Sequence, residues 1–183
     1  MTGRLGDLPA RPDGLVLAGG RGARFGQPKA TVVFDGLTLV ERAVAALAPH
    51  CGRVLVVGRP EVPLPVPSLD DRPGPDCPLN ALATGLAALG AEEVLVLACD
   101  LPGAGPVLAR LVAAPSVAVA PDGRAQPLCA RYPRLSALAA ADGLLAAGTF
   151  RLLPLLDLLA ANPVPATATE LHNVTVSTDL PSS

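Results

Sequence analysis

The sequence predicts a single three-layer α/β domain built around a mostly parallel sheet. Three observations lead there. Short apolar runs, Gly14–Ala18, Arg53–Val57 and Val94–Ala98, alternate with segments of helical periodicity. The runs are apolar nearly throughout rather than on alternate residues, which marks strands covered on both faces. At 183 residues, half of them hydrophobic, the chain suits one domain and can bury a core without disulfides or a structural metal.

Gly14–Ala18 is the first strand, ended by glycines, and a Gly-rich stretch runs from there to Pro28. Thr38 is placed to N-cap a helix reaching Ala48, with Leu39, Ala43, Ala46 and Leu47 on one face and Pro49 closing it. Arg53–Val57 is the next strand. Arg59–Pro67, with four prolines, reads as extended loop, and a third strand ends at Leu69 before Asp70 and Asp71. Leu79–Leu89 reads as an Ala-rich helix and Val94–Ala98 as the most apolar strand, ending at Cys99 and Asp100. Pro106 suits the first position of a helix to Ala113. Val117–Ala120 and Gln126–Ala130 read as strands joined by the turn Pro121-Asp122-Gly123-Arg124. Helices are expected from Leu135 and from Arg151, and a last short strand over Asn173–Val176. There is no internal repeat, so residues 1–183 are read as one domain, with 1–13 and 177–183 as flexible termini.

Composition removes several functional classes. No apolar run approaches the ~18–20 residues of a membrane span, and the polar N-terminus carries no apolar signal core, so a soluble cytoplasmic protein is expected. The formal net charge is −2, and no basic stripe or aromatic platform is present, which argues against nucleic acid as a partner. Cys51, Cys77, Cys99 and Cys129 form no Cys-x-x-Cys pair, and His50 and His172 are far apart. Zinc ligation, a disulfide framework and thiol catalysis are therefore not expected. Ala and Leu number 32 each, Ile and Trp are absent, and Lys29 is the only lysine. This is the bias of a GC-rich genome, and a lone lysine surviving in it invites a functional reading.

That lysine ends the stretch Leu17-Ala18-Gly19-Gly20-Arg21-Gly22-Ala23-Arg24-Phe25-Gly26-Gln27-Pro28-Lys29. Glycines let successive N–H groups converge on one concavity, which suits phosphate oxygens, and Arg21, Arg24 and Lys29 add three positive charges. Such a loop beyond the carboxyl end of a parallel strand can neutralise a triphosphate and the charge growing on a leaving pyrophosphate. Lys29 is expected to face solvent in the empty site. It is neither the P-loop, which ends in Gly-Lys-Ser/Thr, nor the dinucleotide fingerprint, whose glycine spacing differs. Asp100, projected by the most apolar strand and followed by Leu101-Pro102, is placed to hold a magnesium ion, which binds through one or two carboxylates plus substrate phosphates.

The opening stretch resembles the signature of nucleotidyltransferases of the nucleotide-sugar-pyrophosphorylase-like fold, a Rossmann-like α/β architecture. Its Gly19-Gly20 resembles the molybdenum cofactor guanylyltransferases, whereas Gln27-Pro28-Lys29 is also common in the cytidylyltransferases of that cofactor. Further along, an aspartate, a Pro/Gly-rich loop and Cys77-Pro78-Leu79-Asn80-Ala81 resemble the guanylyltransferase segment, departing from it where glycines are frequent, at Cys77 and Ala81. Either Asp70 or Asp71 matches the family carboxylate, with strand-end alignment favouring Asp71. The likeness spans about residues 14–176, specific in its first half and loose in its second.

The resemblance implies transfer of GMP from GTP to molybdenum-bound molybdopterin, with release of pyrophosphate and Mg²⁺ as cofactor. It implies Arg24, Lys29 and Asp100 as catalytic residues, Asp100 being the metal ligand. Leu17, Ala18, Gly19, Gly20, Arg21, Gly22, Lys29, Asp71 and Asp100 would bind the nucleotide, and Arg124, Gln126 and Asn173 would face the pterin substrate. The nucleophile is already a phosphate anion, so no general base is needed. Transient contact with a molybdoenzyme or a cofactor-insertion protein goes with this chemistry. The alternatives are a cytidylyl- or sugar-phosphate nucleotidyltransferase and a catalytically silent nucleotide-binding module.

Overall fold

The computed structural model describes residues 11–19, 29–58 and 62–174. In chain order its strands are β1 (Asp13–Leu17), β2 (Val33–Phe34), β3 (Leu37–Thr38), β4 (Val54–Val57), β5 (Ser68–Leu69), β6 (Glu93–Ala98), β7 (Ser116–Val119), β8 (Ala125–Pro133) and β9 (Asn162–Pro165). The helices are α1 (Leu39–Leu47), α2 (Pro78–Ala88), α3 (Gly105–Leu108), α4 (Arg134–Ala146) and α5 (Leu153–Leu158). β2 and β3 form a small hairpin whose turn, Asp35-Gly36, has both residues at positive φ. The other seven strands make one sheet in the order β5-β4-β1-β6-β8-β7-β9, in which only β8 runs antiparallel to its neighbours.

Side-chain alternation along each strand splits the core into two layers. Val16, Val56 and Leu97 face α1 and α3, whereas Leu15, Leu17, Val57 and Val96 face α2, α4 and α5. Both faces of β1, β4 and β6 are therefore covered, which is why these strands read as unbroken apolar runs. Helix α1 starts as its sequence demands. Thr38 caps it and exchanges hydrogen bonds with Glu41 in a capping box.

After β1 the chain goes outward to β4 and β5, then returns through α2 to place β6 on the other side of β1. The strand order thus reverses between β1 and β6, and a crevice opens beyond their carboxyl ends at such a reversal. Among the described residues no helix is long and apolar enough to cross a membrane.

Three expectations are corrected. Asp13, the last residue of the stretch expected to be flexible, is buried at the start of β1 and accepts hydrogen bonds from the Gly90 and Ala91 N–H groups at 3.0 and 2.9 Å. Burial pushes its carboxyl up, but those two bonds and the Arg53 guanidinium outweigh burial and hold it below the usual value. The helix expected from Pro106 to Ala113 is a single turn, because the chain then tightens into three-residue turns, Arg110 N–H to Val107 O and Leu111 N–H to Leu108 O. Asn173 and Val174 are not in a strand, and residues 175 and 176 lie outside the described part. The last strand among the described residues is β9, whose two prolines disguise it. An edge strand tolerates them because half its backbone groups bond nothing in the sheet.

Candidate active site

The crevice beyond β1 and β6 is a cleft of about 560 Å³. β1 contributes Leu17 and Gly19, β6 leads into Cys99 and Asp100, the entry to α2 brings Cys77 and Ala81, and Asp71 and Leu128 close the sides. The Cys99 N–H donates to Leu17 O at 3.1 Å, so the β1–β6 ladder continues to the residue before Asp100 and sets that carboxylate at the cleft floor. Gly58, at φ +111°, lets the end of β4 pass the glycine stretch: a Cβ there would lie 2.7 Å from the Gly19 nitrogen. At Gly19 itself a Cβ would meet no described atom within 4 Å. A side chain at that position would stand in the open cleft.

Lys29 begins a short 3-10 turn pinned by the fully buried Ala30. Its ammonium lies 3.2 Å from Asp100 Oδ2, each side chain about a quarter exposed. The expectation that Lys29 faces solvent is therefore wrong. The strand-end carboxylate is its counter-ion, because the two elements meet at the same crevice. The Val174 N–H donates to the Asp100 carbonyl at 3.0 Å, which ties the 172–174 segment to the end of β6. Within that segment, Asn173 Oδ1 is buried and accepts no hydrogen bond among the described residues. The Asp100 carboxylate is a hard oxygen ligand of the kind a divalent cation takes, with phosphate oxygens completing its shell, and the orphan amide oxygen of Asn173 is of the same hard type. No group of three or more His, Cys, Asp or Glu able to hold a metal exists among the described residues, so a cation here would depend on substrate oxygens.

The opposite wall is acidic. Asp71 lines the cleft together with Asp76, while Asp70 does not. Partial burial, then the nearby Asp76 and Asp70, push the Asp71 carboxyl above its usual value. Burial pushes the Cys99 thiol up to about 12, so it is inert although it borders the cleft.

Of the residues singled out in the sequence, Leu17, Gly19, Lys29, Asp71 and Asp100 line one cleft, with Ala18 buried between the first two, whereas Asn173 does not line it. Gly20, Arg21, Gly22 and Arg24 lie outside the described residues. Arg124 and Gln126 do not line the cleft. Arg124 is exposed and closes the β7–β8 turn by pairing with Asp122 at 2.7 Å, and Gln126 sits in β8 opposite Ala118. Sequence reasoning missed Asp76 and Leu128 as wall residues, and missed the polar residues Asn80 and Thr84 on the buried side of α2. The signal was present: two polar side chains four residues apart in an otherwise Ala/Leu-rich helix.

Comparison with known proteins agrees with this geometry. Residues 14–157 match the family model described as the MobA-like NTP transferase domain. A probable molybdenum cofactor guanylyltransferase of Chloroflexus aggregans is 39% identical over 155 residues, covering 76% of this chain and 73% of that protein. One from Mycobacterium marinum is 34% identical over 196 residues, covering 99% and 96%. Among solved structures, molybdopterin-guanine dinucleotide biosynthesis protein A of Archaeoglobus fulgidus superposes with a TM-score of 0.72 at 22% identity, over 91% of this chain and 94% of that one. The 2-C-methyl-D-erythritol 4-phosphate cytidylyltransferase of Thermus thermophilus gives 0.67 at 21% identity, over 90% and 93%. At such identities the structural likeness establishes the fold, which guanylyl- and cytidylyltransferases share. Sequence identity across most of both chains, together with the family match, places this chain in the MobA-like NTP transferase family, as a nucleotidyltransferase.

Proposed function

We propose that the chain transfers the GMP moiety of GTP to the terminal phosphate of molybdenum-bound molybdopterin, forming the guanine dinucleotide and releasing pyrophosphate. The observation that carries this is the convergence of Lys29, Asp100 and the open Gly19 backbone on one cleft at the strand-order reversal. In the reaction a terminal phosphate oxygen of the acceptor attacks the α-phosphorus of GTP. The bond from that phosphorus to the α–β bridging oxygen breaks, and its electron pair leaves on pyrophosphate. Lys29 binds the triphosphate, and the glycine stretch with Gly20, Arg21, Gly22 and Arg24 wraps it. Asp100 would hold Mg²⁺, and Asn173, in the segment tied to the Asp100 backbone, would face the substrate. That ion, when bound, neutralises phosphate charge on the substrate and the leaving group. Asp71 faces the base and ribose. Arg124 and Gln126, at the strand edge beyond Leu128, face the acceptor. The site acts by positioning and charge neutralisation, so it needs no proton acceptor.

Base choice follows from Gly19. A methyl in a pocket decides only ~1–3 kcal/mol, whereas an unmet hydrogen bond decides much more, so an open backbone edge reads guanine more strongly than the Cys77 and Ala81 wall can oppose it. Competition binding with GTP and CTP in Mg²⁺ tests the reading, and GTP is expected to win by at least about tenfold. Equal affinity, or a preference for CTP, moves the chain to the cytidylyl branch. Nucleotide binding without pyrophosphate release, when the molybdopterin acceptor is supplied, makes it a silent binding module. The protein is expected to work in the cytoplasm and to meet a molybdoenzyme or a cofactor-insertion protein transiently.

A further inference from the structure

Two of the few buried polar side chains in the protein, Asn80 and Thr84, stand one turn apart on α2. Burying such groups is costly unless they are hydrogen-bonded. Both bond the same residue, Arg72, which directly follows Asp71. The Arg72 N–H donates to Thr84 Oγ1 at 3.1 Å, and Asn80 Nδ2 donates to the Arg72 carbonyl at 3.0 Å. The Arg72 guanidinium Nε donates to Asn80 Oδ1 at 3.1 Å, and its Nη2 reaches Asp142 on α4. Both backbone polar groups of Arg72 and its side chain are thus taken up by one helix face and its neighbour. The loop folds down over this face at Gly74, where a Cβ would lie 3.1 Å from Asn80 Oδ1.

The loop so held carries Asp71, Asp76 and Cys77 to the cleft. With Asp70 it concentrates three aspartates in seven residues, and mutual repulsion works against holding them together. The bonds to α2 hold Arg72, and with it the adjacent Asp71, from outside the loop. We propose that Asn80 and Thr84 are positioning residues for base recognition: through Arg72 they fix Asp71 and the Cys77 wall against the nucleobase. This rests on the nucleotide reading of the cleft and goes beyond it, because neither residue lines the cleft. Lys29 is carried by a different segment, the short turn Lys29–Thr31, so triphosphate binding should not depend on the tie.

Isothermal titration with GTP, CTP and inorganic tripolyphosphate, each with Mg²⁺, separates these contributions. Asn80→Ala is expected to weaken GTP binding about 5- to 10-fold and to drive the GTP-to-CTP ratio toward one, with tripolyphosphate affinity unchanged. Thr84→Val, which keeps the shape and removes the acceptor for the Arg72 N–H, acts in the same direction. Asn80→Asp keeps the acceptor for the Arg72 guanidinium and restores part of the selectivity. If Asn80→Ala does not fold, Arg72→Lys at the partly exposed end of the network keeps the charge, loses the Nε donor and should show the same selectivity loss. Unchanged GTP-to-CTP ratios in the folded variants overturn the proposal. So does a parallel fall for all three ligands, which marks a general structural role. A parent protein that binds tripolyphosphate but neither nucleotide overturns the base-reading assignment itself. If the parent binds none of the three ligands, the nucleotide reading of the cleft fails and the proposal fails with it.

Discussion

Glu170 ties down the turn that brings Asn173 and Val174 to Asp100, and its removal is expected to cost measurable stability. The carboxylate is buried and accepts from Arg110 Nη2 at 2.9 Å, from the Thr167 N–H at 2.7 Å and from Thr167 Oγ1 at 3.0 Å. The Arg110 guanidinium first, then the Thr167 donors, outweigh burial and hold its carboxyl down at about 2, against an ordinary 4.5. A difference of that size corresponds to a ceiling of about 3.4 kcal/mol at ~1.4 kcal/mol per unit. Arg110 is 44% exposed, so solvent screens the pair and about 1–2 kcal/mol is the better expectation. Glu170→Gln, which keeps the shape and removes the charge, should then lower the melting temperature by about 2–8 °C at pH 7. The sign of the pH dependence follows from the depressed folded value: the contribution is complete above about 4.5 and is lost as pH falls through about 2. The gap between parent and variant should be constant from pH 7 to about 5.5, and by pH 3 should shrink to well under half of its full size. Calorimetry of both proteins across that range, at fixed ionic strength, checks it. No gap at pH 7, or a gap that widens on acidification, refutes the reasoning.

Three further outcomes follow from the cleft. Lys29→Ala should weaken GTP binding about 10- to 100-fold with an unchanged circular dichroism spectrum, and Lys29→Arg should rescue only part, since a fork replaces a point charge. Asp100→Asn should bind GTP at least as tightly as the parent in chelator, because the carboxylate that pairs with Lys29 and repels phosphate is gone. With Mg²⁺ added, the parent should gain affinity and the variant should not, and identical Mg²⁺ titrations would refute the assignment. A maleimide should label Cys77 alone in the native protein, since Cys51, Cys99 and Cys129 are buried with thiols pushed up to about 12, and saturating GTP should protect it. Labelling that GTP does not slow would remove Cys77 from the nucleotide wall.

What the sequence determined by itself is what depends on short stretches of chain. The apolar runs of β1, β4 and β6, the cap at Thr38 and the helix after Pro78 are legible because burial on both faces, capping and proline geometry act within a few residues. Lys29 and Asp100 were legible as chemistry, one by its rarity and the other by its place after the most apolar strand. Their contact was not. It joins residues 71 positions apart and exists because β6 returns beside β1, a consequence of strand order. The choice of Asp71 over Asp70 belongs with it, for the Arg72 ties that set the loop come from a helix face further along the chain. β9 was hidden because its strand conformation owes nothing to propensity; its two prolines are tolerated only where the sheet ends. Asn173 gains its meaning in the same way. In the sequence it is one asparagine among others, and the hydrogen bond from its neighbour Val174 to the Asp100 carbonyl, across 74 positions, is what ties its segment to the end of β6.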